Sequence, residues 1–240
     1  MSVKIFVLGR PGSGKSHVAQ FIRDRAISMG WTVEYIYDYK WLQALFLEEI
    51  RLNIPEESRA FRAKGPEGRS GFDVVDFSVL NLVLQQIANE IRRQEREAPL
   101  PKKLFVIEFA RKSYLRALQF FGQDLLQDAH LLYLQADFET CKARIHQRIG
   151  GGSELDHYVS DNIMESYYKT DDWGDELLRE YLSRLQKAGI RVQTKETDNS
   201  GSNLEINKEI GATTEQALSQ ETEPISVVVQ KAPQPKLENS

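Results

Sequence analysis

Eight consecutive residues constrain this chain more than any other feature: Gly9-Arg10-Pro11-Gly12-Ser13-Gly14-Lys15-Ser16. They match G-x-x-x-x-G-K-[ST] without a mismatch, and the flanks are those the pattern needs. Val3-Lys4-Ile5-Phe6-Val7-Leu8 reads as a buried strand, and His17-Val18-Ala19-Gln20-Phe21-Ile22 opens with apolar residues at helical spacing. Gly9, Gly12 and Gly14 let the backbone curl until its N–H groups point at a polyphosphate. The helix that begins at Lys15 adds the positive end of its dipole. Lys15 then reaches the terminal phosphates, and the Ser16 hydroxyl is placed to hold Mg²⁺. A strand, a phosphate loop and a helix in that order commit the chain to an α/β fold.

The 240 residues, 41% hydrophobic and 28% charged, suit one globular domain of that class. A net charge of −4 argues against a broad electrostatic grip on nucleic acid. The single cysteine, Cys141, excludes an intrachain disulfide and reads as a packed small side chain in a helix. No apolar run approaches a membrane span and the N-terminus lacks a signal-peptide layout, so a cytoplasmic protein is expected. The four histidines show no metal-ligand spacing.

Further along, a strand over 31–37 delivers Asp38 to its C-terminal end, the edge where an open parallel sheet binds ligands. A helix is expected over 41–51, then a basic loop over 53–71 carrying Arg59, Arg62, Lys64 and Arg69, then an amphipathic helix over 73–96. Leu104-Phe105-Val106-Ile107-Glu108 is an apolar strand closing on an acid, the form of a second nucleotide-site strand. A helix over 113–127 and a strand over 131–135 follow, and Asp137 sits where a helix cap belongs. Arg144 and Arg148 share one face of that helix, just before Gly150-Gly151-Gly152. Helices are expected over 155–169 and 175–187, a last strand over 190–194, and a short helix over 203–210. Beyond Gly211 the composition predicts a disordered tail, 212–240, with a Val227-Val228-Val229 island. The expected domain is therefore 1–211.

In this order the marks resemble the P-loop kinases of small molecules, among them nucleoside monophosphate, deoxynucleoside and dephospho-coenzyme A kinases. The phosphate loop carries the resemblance, supported by Glu108 with Arg111, by Arg144 and Arg148, and by Thr197-Asp198-Asn199-Ser200-Gly201-Ser202. The resemblance implies a three-layer sandwich with a five-stranded parallel sheet, a helical insertion over about 41–98 on the acceptor side and a short helical lid over about 144–170. It implies an ATP- and Mg²⁺-dependent transfer of the γ-phosphate to a small acceptor, a nucleoside or nucleotide first of all. Residues 9 to 17, from Gly9 through His17, would bind ATP, with Asn199 near the adenine. Ser16 and Glu108 would hold the metal, Asp38 or Glu108 would be the base, Arg111 an acceptor anchor, and Arg144 and Arg148 the lid arginines. Departures from the pattern are Phe109 and Ala110 between Glu108 and Arg111, and a 53–71 segment with no acceptor signature. The alternatives are a nucleotide-dependent switch or ATPase that binds a protein partner through the tail, and a kinase of macromolecules. A homodimer is compatible with either reading.

Overall fold

The computed structural model describes residues 2–64, 71–97, 101–127, 129–147, 159–190, 192–198 and 203–219. Five parallel strands form the main sheet: β1 (Val3–Leu8), β2 (Thr32–Tyr37), β5 (Lys103–Phe109), β6 (Ala129–Gln135) and β7 (Val192–Asp198). Their order is β2-β5-β1-β6-β7. Their apolar runs follow from burial on both faces. Phe6 and Leu8 of β1, with Phe105, Ile107 and Phe109 of β5, face one core. Ile5 and Val7, with Leu104 and Val106, face the other. One-residue alternation thus divides each strand between two layers of helices.

On the first face lie α2 (Asp38–Arg51), α3 (Ser78–Glu97), α4 (Tyr114–Gln119), α5 (Gly122–Leu126) and α8 (Glu176–Lys187). Helix α3 buries Leu80, Val83, Leu84, Ile87, Ala88 and Ile91, the 3–4 spacing of one apolar stripe. On the second face lie α1 (Lys15–Ser28) and α9 (Asn203–Ser219). The chain leaves β1 toward β2 on one side and leaves β5 toward β6 on the other. The crevice at the C-terminal ends of β1 and β5 is therefore the switch point where such sheets bind ligands.

Several expectations change. The 53–71 stretch is not all loop: β3 (Phe61–Ala63) pairs antiparallel with β4 (Phe72–Val74), and residues 65–70 lie outside the described residues. The amphipathic helix accordingly starts at Ser78 rather than 73. The 113–127 helix is broken into α4 and α5, because Gly122 has φ +69° and Arg92 of α3 donates to the Phe121 carbonyl (2.6 Å) and to Asp124 (2.7 Å). In place of a helix over 155–169 there is α7, a turn at Asp161–Ile163 continued by a wider π turn, Met164–Tyr168. Strand β7 runs to Asp198, past the expected end at 194.

The largest change is at the C-terminal side. Helix α9 does not stop at Gly211 but continues to Ser219. Ile210, Thr214, Ala217 and Leu218 are buried, and Arg25 of α1 binds Glu215. Glycine inside a helix costs about 1 kcal/mol relative to alanine, which burial of this face offsets. Gly211 itself lies against the Phe21 ring. The folded unit thus extends past the expected boundary.

Candidate functional site

Strand register builds the site. Val7, Glu108 and Tyr37 stand side by side on β1, β5 and β2. Asp38 is the next residue, the first of α2, and the phosphate loop turns away two residues after Val7. The C-terminal ends of three strands thereby bring Lys15, Ser16, Asp38 and Glu108 to the floor of one cleft.

The loop has the curl its glycines foretell, with Gly9, Gly12 and Gly14 at φ +141°, +81° and +92°. It is held from three sides. The Gly9 amide donates to the Tyr114 hydroxyl at 3.0 Å, and Lys15 Nζ donates back to the Arg10 carbonyl at 2.8 Å. Arg10 pairs with Asp171 at 3.2 Å, and Asp171 also accepts from the Tyr133 hydroxyl at 2.8 Å. Tyr133 in turn stacks on Trp173, with ring centroids 4.4 Å apart. Gly12 sits against the backbone of α6 (Phe138–Gln147), where a Cβ would lie 2.3 Å from the Cys141 carbonyl oxygen.

Glu108 is 6% exposed, and its two oxygens are divided between two hydroxyls. Ser16 Oγ donates to one at 2.8 Å, and the Tyr35 hydroxyl donates to the other. Burial raises the Glu108 carboxyl above its ordinary range and nearby Asp38 adds to this, while the Lys15 ammonium and the two hydroxyls pull it down. Burial beside Glu108 pushes the Tyr35 phenol well up, so Tyr35 remains a donor.

Asp38 forms an ion pair with Arg111. The Arg111 guanidinium is buried and also donates to the carbonyls of Ala110 (2.6 Å) and Leu80 (2.8 Å). It stands behind Asp38 and is not among the residues that line the cleft. Arg111, just past the end of β5, thus joins that strand to α2 and α3. No side-chain bond caps α2, and the Asp38 carboxylate faces both Arg111 and the cleft.

No family model matches this chain, and no curated protein sequence matches it. Solved structures do. A sugar kinase from Janibacter sp. HTCC2649, solved without ligand, is 13% identical with a TM-score of 0.53, over 92% of this chain and 96% of that one. Kti12 from Chaetomium thermophilum, in complex with ADP-AlF3, is 12% identical with a TM-score of 0.50, over 90% and 98%. The chain has the fold of the P-loop small-molecule kinases. At these identities the likeness speaks for the fold alone.

Of the two arginines expected in a lid, Arg144 falls on α6. Arg144 is partly buried, and together with Lys15 and Arg10 it acts electrostatically on the Cys141 thiol, so it stands on the side of α6 that meets the loop. Arg148, the Gly150-Gly151-Gly152 run and Asn199 lie outside the described residues. His17, at 3.2 Å from Asn207 Oδ1, links α1 to α9 rather than facing the cleft floor. Cys141 is buried and its thiol is pushed up by burial, as a packing residue should be. Among the described residues no helix is long and apolar enough to cross a membrane.

Sequence reading missed Tyr35, Tyr114 and Asp171. Tyr35 carried one usable signal, its place two residues before Tyr37 on the same side of β2. Asp171 and Asp172 form an acidic pair, and Asp172 accepts from Ser113 Oγ and the Tyr114 amide at 2.6 Å each. Nothing local distinguishes that pair from an ordinary turn. The other wall of the cleft was missed as well. Tyr39 of α2, Phe72 of β4, Phe77 in the turn before α3, and Ile163 and Tyr168 of α7 and its π turn line it.

Proposed function

We propose that this chain is a phosphotransferase that moves the γ-phosphate of ATP to a hydroxyl of a small acceptor. The observation that carries this is the continuity of the cleft. Lys15, Ser16 and Glu108 line one continuous cleft with Asp38, and the same space continues past Asp38 into a chamber lined by Tyr39, Phe72, Phe77 and Tyr168. A site built only to hydrolyse nucleotide has no use for that chamber.

The residues present fit a magnesium ion. Ser16 Oγ and Glu108 Oε1 are hard oxygen donors within 2.8 Å of each other. Among the described residues no cluster of three or more His, Cys, Asp or Glu is present, so the remaining ligands would be phosphate oxygens and water. A magnesium ion held by Ser16 and Glu108 would supply charge neutralisation to the phosphates.

The chain's own groups do the rest by positioning and electrostatics. Lys15 exchanges the Arg10 carbonyl for phosphate oxygens. Asp38, held by Arg111, accepts the proton of the acceptor hydroxyl. The oxygen–phosphorus bond to the acceptor forms as the bond between the γ-phosphorus and the β–γ bridging oxygen breaks, and ADP leaves. Arg144, on α6, balances charge on the phosphoryl group. Nucleosides are the first acceptors to try.

Purified protein with Mg-ATP and a panel of hydroxyl acceptors should form ADP faster with at least one of them. Lys15→Ala should abolish that turnover without changing the melting temperature by more than a few degrees. Turnover indifferent to every acceptor would count against a transferase. The alternative, a switch whose interaction arm begins after Gly211, is weakened by the packing of α9 up to Ser219 onto α1.

A further inference from the structure

The chamber beyond Asp38 has a composition that restricts what it can hold. Tyr39 stacks on Phe72 with rings nearly parallel (5.3 Å, 2°), and both line the chamber. Phe77, Leu80, Ile163 and Tyr168 complete an apolar and aromatic wall. Such a wall offers area to a flat or ring-shaped molecule and nothing to a strongly hydrated one.

The charges in the lining are unequal in sign. Among the described residues that line the cleft, Asp38, Asp73 and Glu108 are acidic and Lys15 is basic. Lys15 belongs to the phosphate loop and serves the nucleotide. The neighbouring cations are turned to the carboxylates: Arg111 pairs with Asp38, and Lys64 pairs with Asp73 at 2.7 Å. Asp73 also receives the Ser160 amide at 3.4 Å, which ties β4 to the segment leading into α7. An acceptor bearing a phosphate or carboxylate would bring its charge against an apolar wall beside carboxylates whose cations are already committed to them, and so would lose hydration without gaining a described counter-charge. A hydroxyl meets the opposite situation, since Asp38 can accept its hydrogen bond.

Resting on the phosphotransferase reading, we infer that the acceptor is an uncharged ring-bearing alcohol, and that phosphorylated or carboxylated small molecules are rejected. The apolar wall supplies affinity, and the commitment of Arg111 to Asp38 and of Lys64 to Asp73 supplies discrimination. For an acceptor of this kind the product is a phosphate ester, so the product carries the very charge the chamber excludes. The unmatched charge then speeds its release.

The test uses the full chain saturated with Mg²⁺ and a non-hydrolysable ATP analogue, titrated calorimetrically with matched pairs: thymidine and its 5′-monophosphate, pyridoxine and its 5′-phosphate, glucose and glucose 6-phosphate. At least one neutral member should bind, at least about tenfold tighter than its phosphate. Asp73→Asn should narrow that gap, and Tyr39→Ala should weaken the neutral ligand. A phosphate ester that binds as tightly as its parent alcohol, or no binding by any neutral member at millimolar concentration, would overturn the inference. The parent reading fails differently: neutral alcohols bind with preference, yet ADP never forms from ATP.

Discussion

Replacing Gly12 by alanine tests whether the phosphate loop rests on α6. Gly12 and Gly30 have almost the same φ, +81° and +80°, so alanine at either position carries a left-handed penalty of similar size. That penalty is about 1–2 kcal/mol, partly offset by the stiffer unfolded chain. Their surroundings differ completely. A Cβ at Gly30 meets nothing within 4 Å, whereas at Gly12 it meets the carbonyl oxygen, carbonyl carbon and Cα of Cys141 at 2.3, 2.9 and 3.0 Å. All three are backbone atoms of a helix, so no side chain can swing aside. Loop or helix must retreat by about 1 Å to restore contact distance, and overpacking of this kind costs about 1–3 kcal/mol. Gly12→Ala should therefore be less stable than Gly30→Ala by about 1–3 kcal/mol, a difference of roughly 2–10 °C in melting temperature for a chain of this size. Calorimetry with and without Mg-ADP separates fold from site. Wild type and Gly30→Ala should be stabilised by the nucleotide, and Gly12→Ala should lose most of that shift. Equal melting of the two variants with an equal nucleotide response would refute the reasoning, because the contact with α6 would then carry no weight.

Four more outcomes are expected. Arg111→Met should lose about 3–5 kcal/mol by urea unfolding, since it strands Asp38 and leaves the Leu80 and Ala110 carbonyls unbonded. A double-mutant cycle on Arg10→Ala and Asp171→Ala should give a coupling of about 1–3 kcal/mol, since the pair is largely shielded from water; a coupling near zero would make it incidental. Ending the chain after Gly211 should cost about 2–4 kcal/mol by removing buried Thr214, Ala217 and Leu218 from the face of α1, read from the shift in urea midpoint. In magnesium-free buffer, burial has raised the Glu108 carboxyl above its ordinary value of 4.5, so its contribution to stability is present below that pH and is lost as pH rises through the folded value. Glu108→Gln should remove that loss, becoming more stable relative to wild type as pH increases; a pH-independent difference would contradict it.

What the sequence determined by itself was whatever is encoded locally. The phosphate loop, its strand and its helix are contiguous, and the loop's conformation follows from glycines at fixed offsets, so Lys15 and Ser16 could be placed without coordinates. Glu108 was legible for a related reason: an acid that closes an apolar run must stand at a strand's buried end. Asp137, expected to cap α6, accepts the Thr140 amide at 2.8 Å. Tertiary structure decided the rest. The bonds of Arg111 to Asp38 and Leu80 were not legible, because those partners come from other elements that only folding brings beside it. Gly211 looked like a helix stop, and only the packing of its neighbours against α1 carried the helix on to Ser219. The aromatic chamber was invisible in sequence, since Tyr39, Phe72, Phe77 and Tyr168 share no period and no motif. Backbone conformation is settled among near neighbours in the chain, whereas which side chains face one another across a cleft depends on how the layers pack.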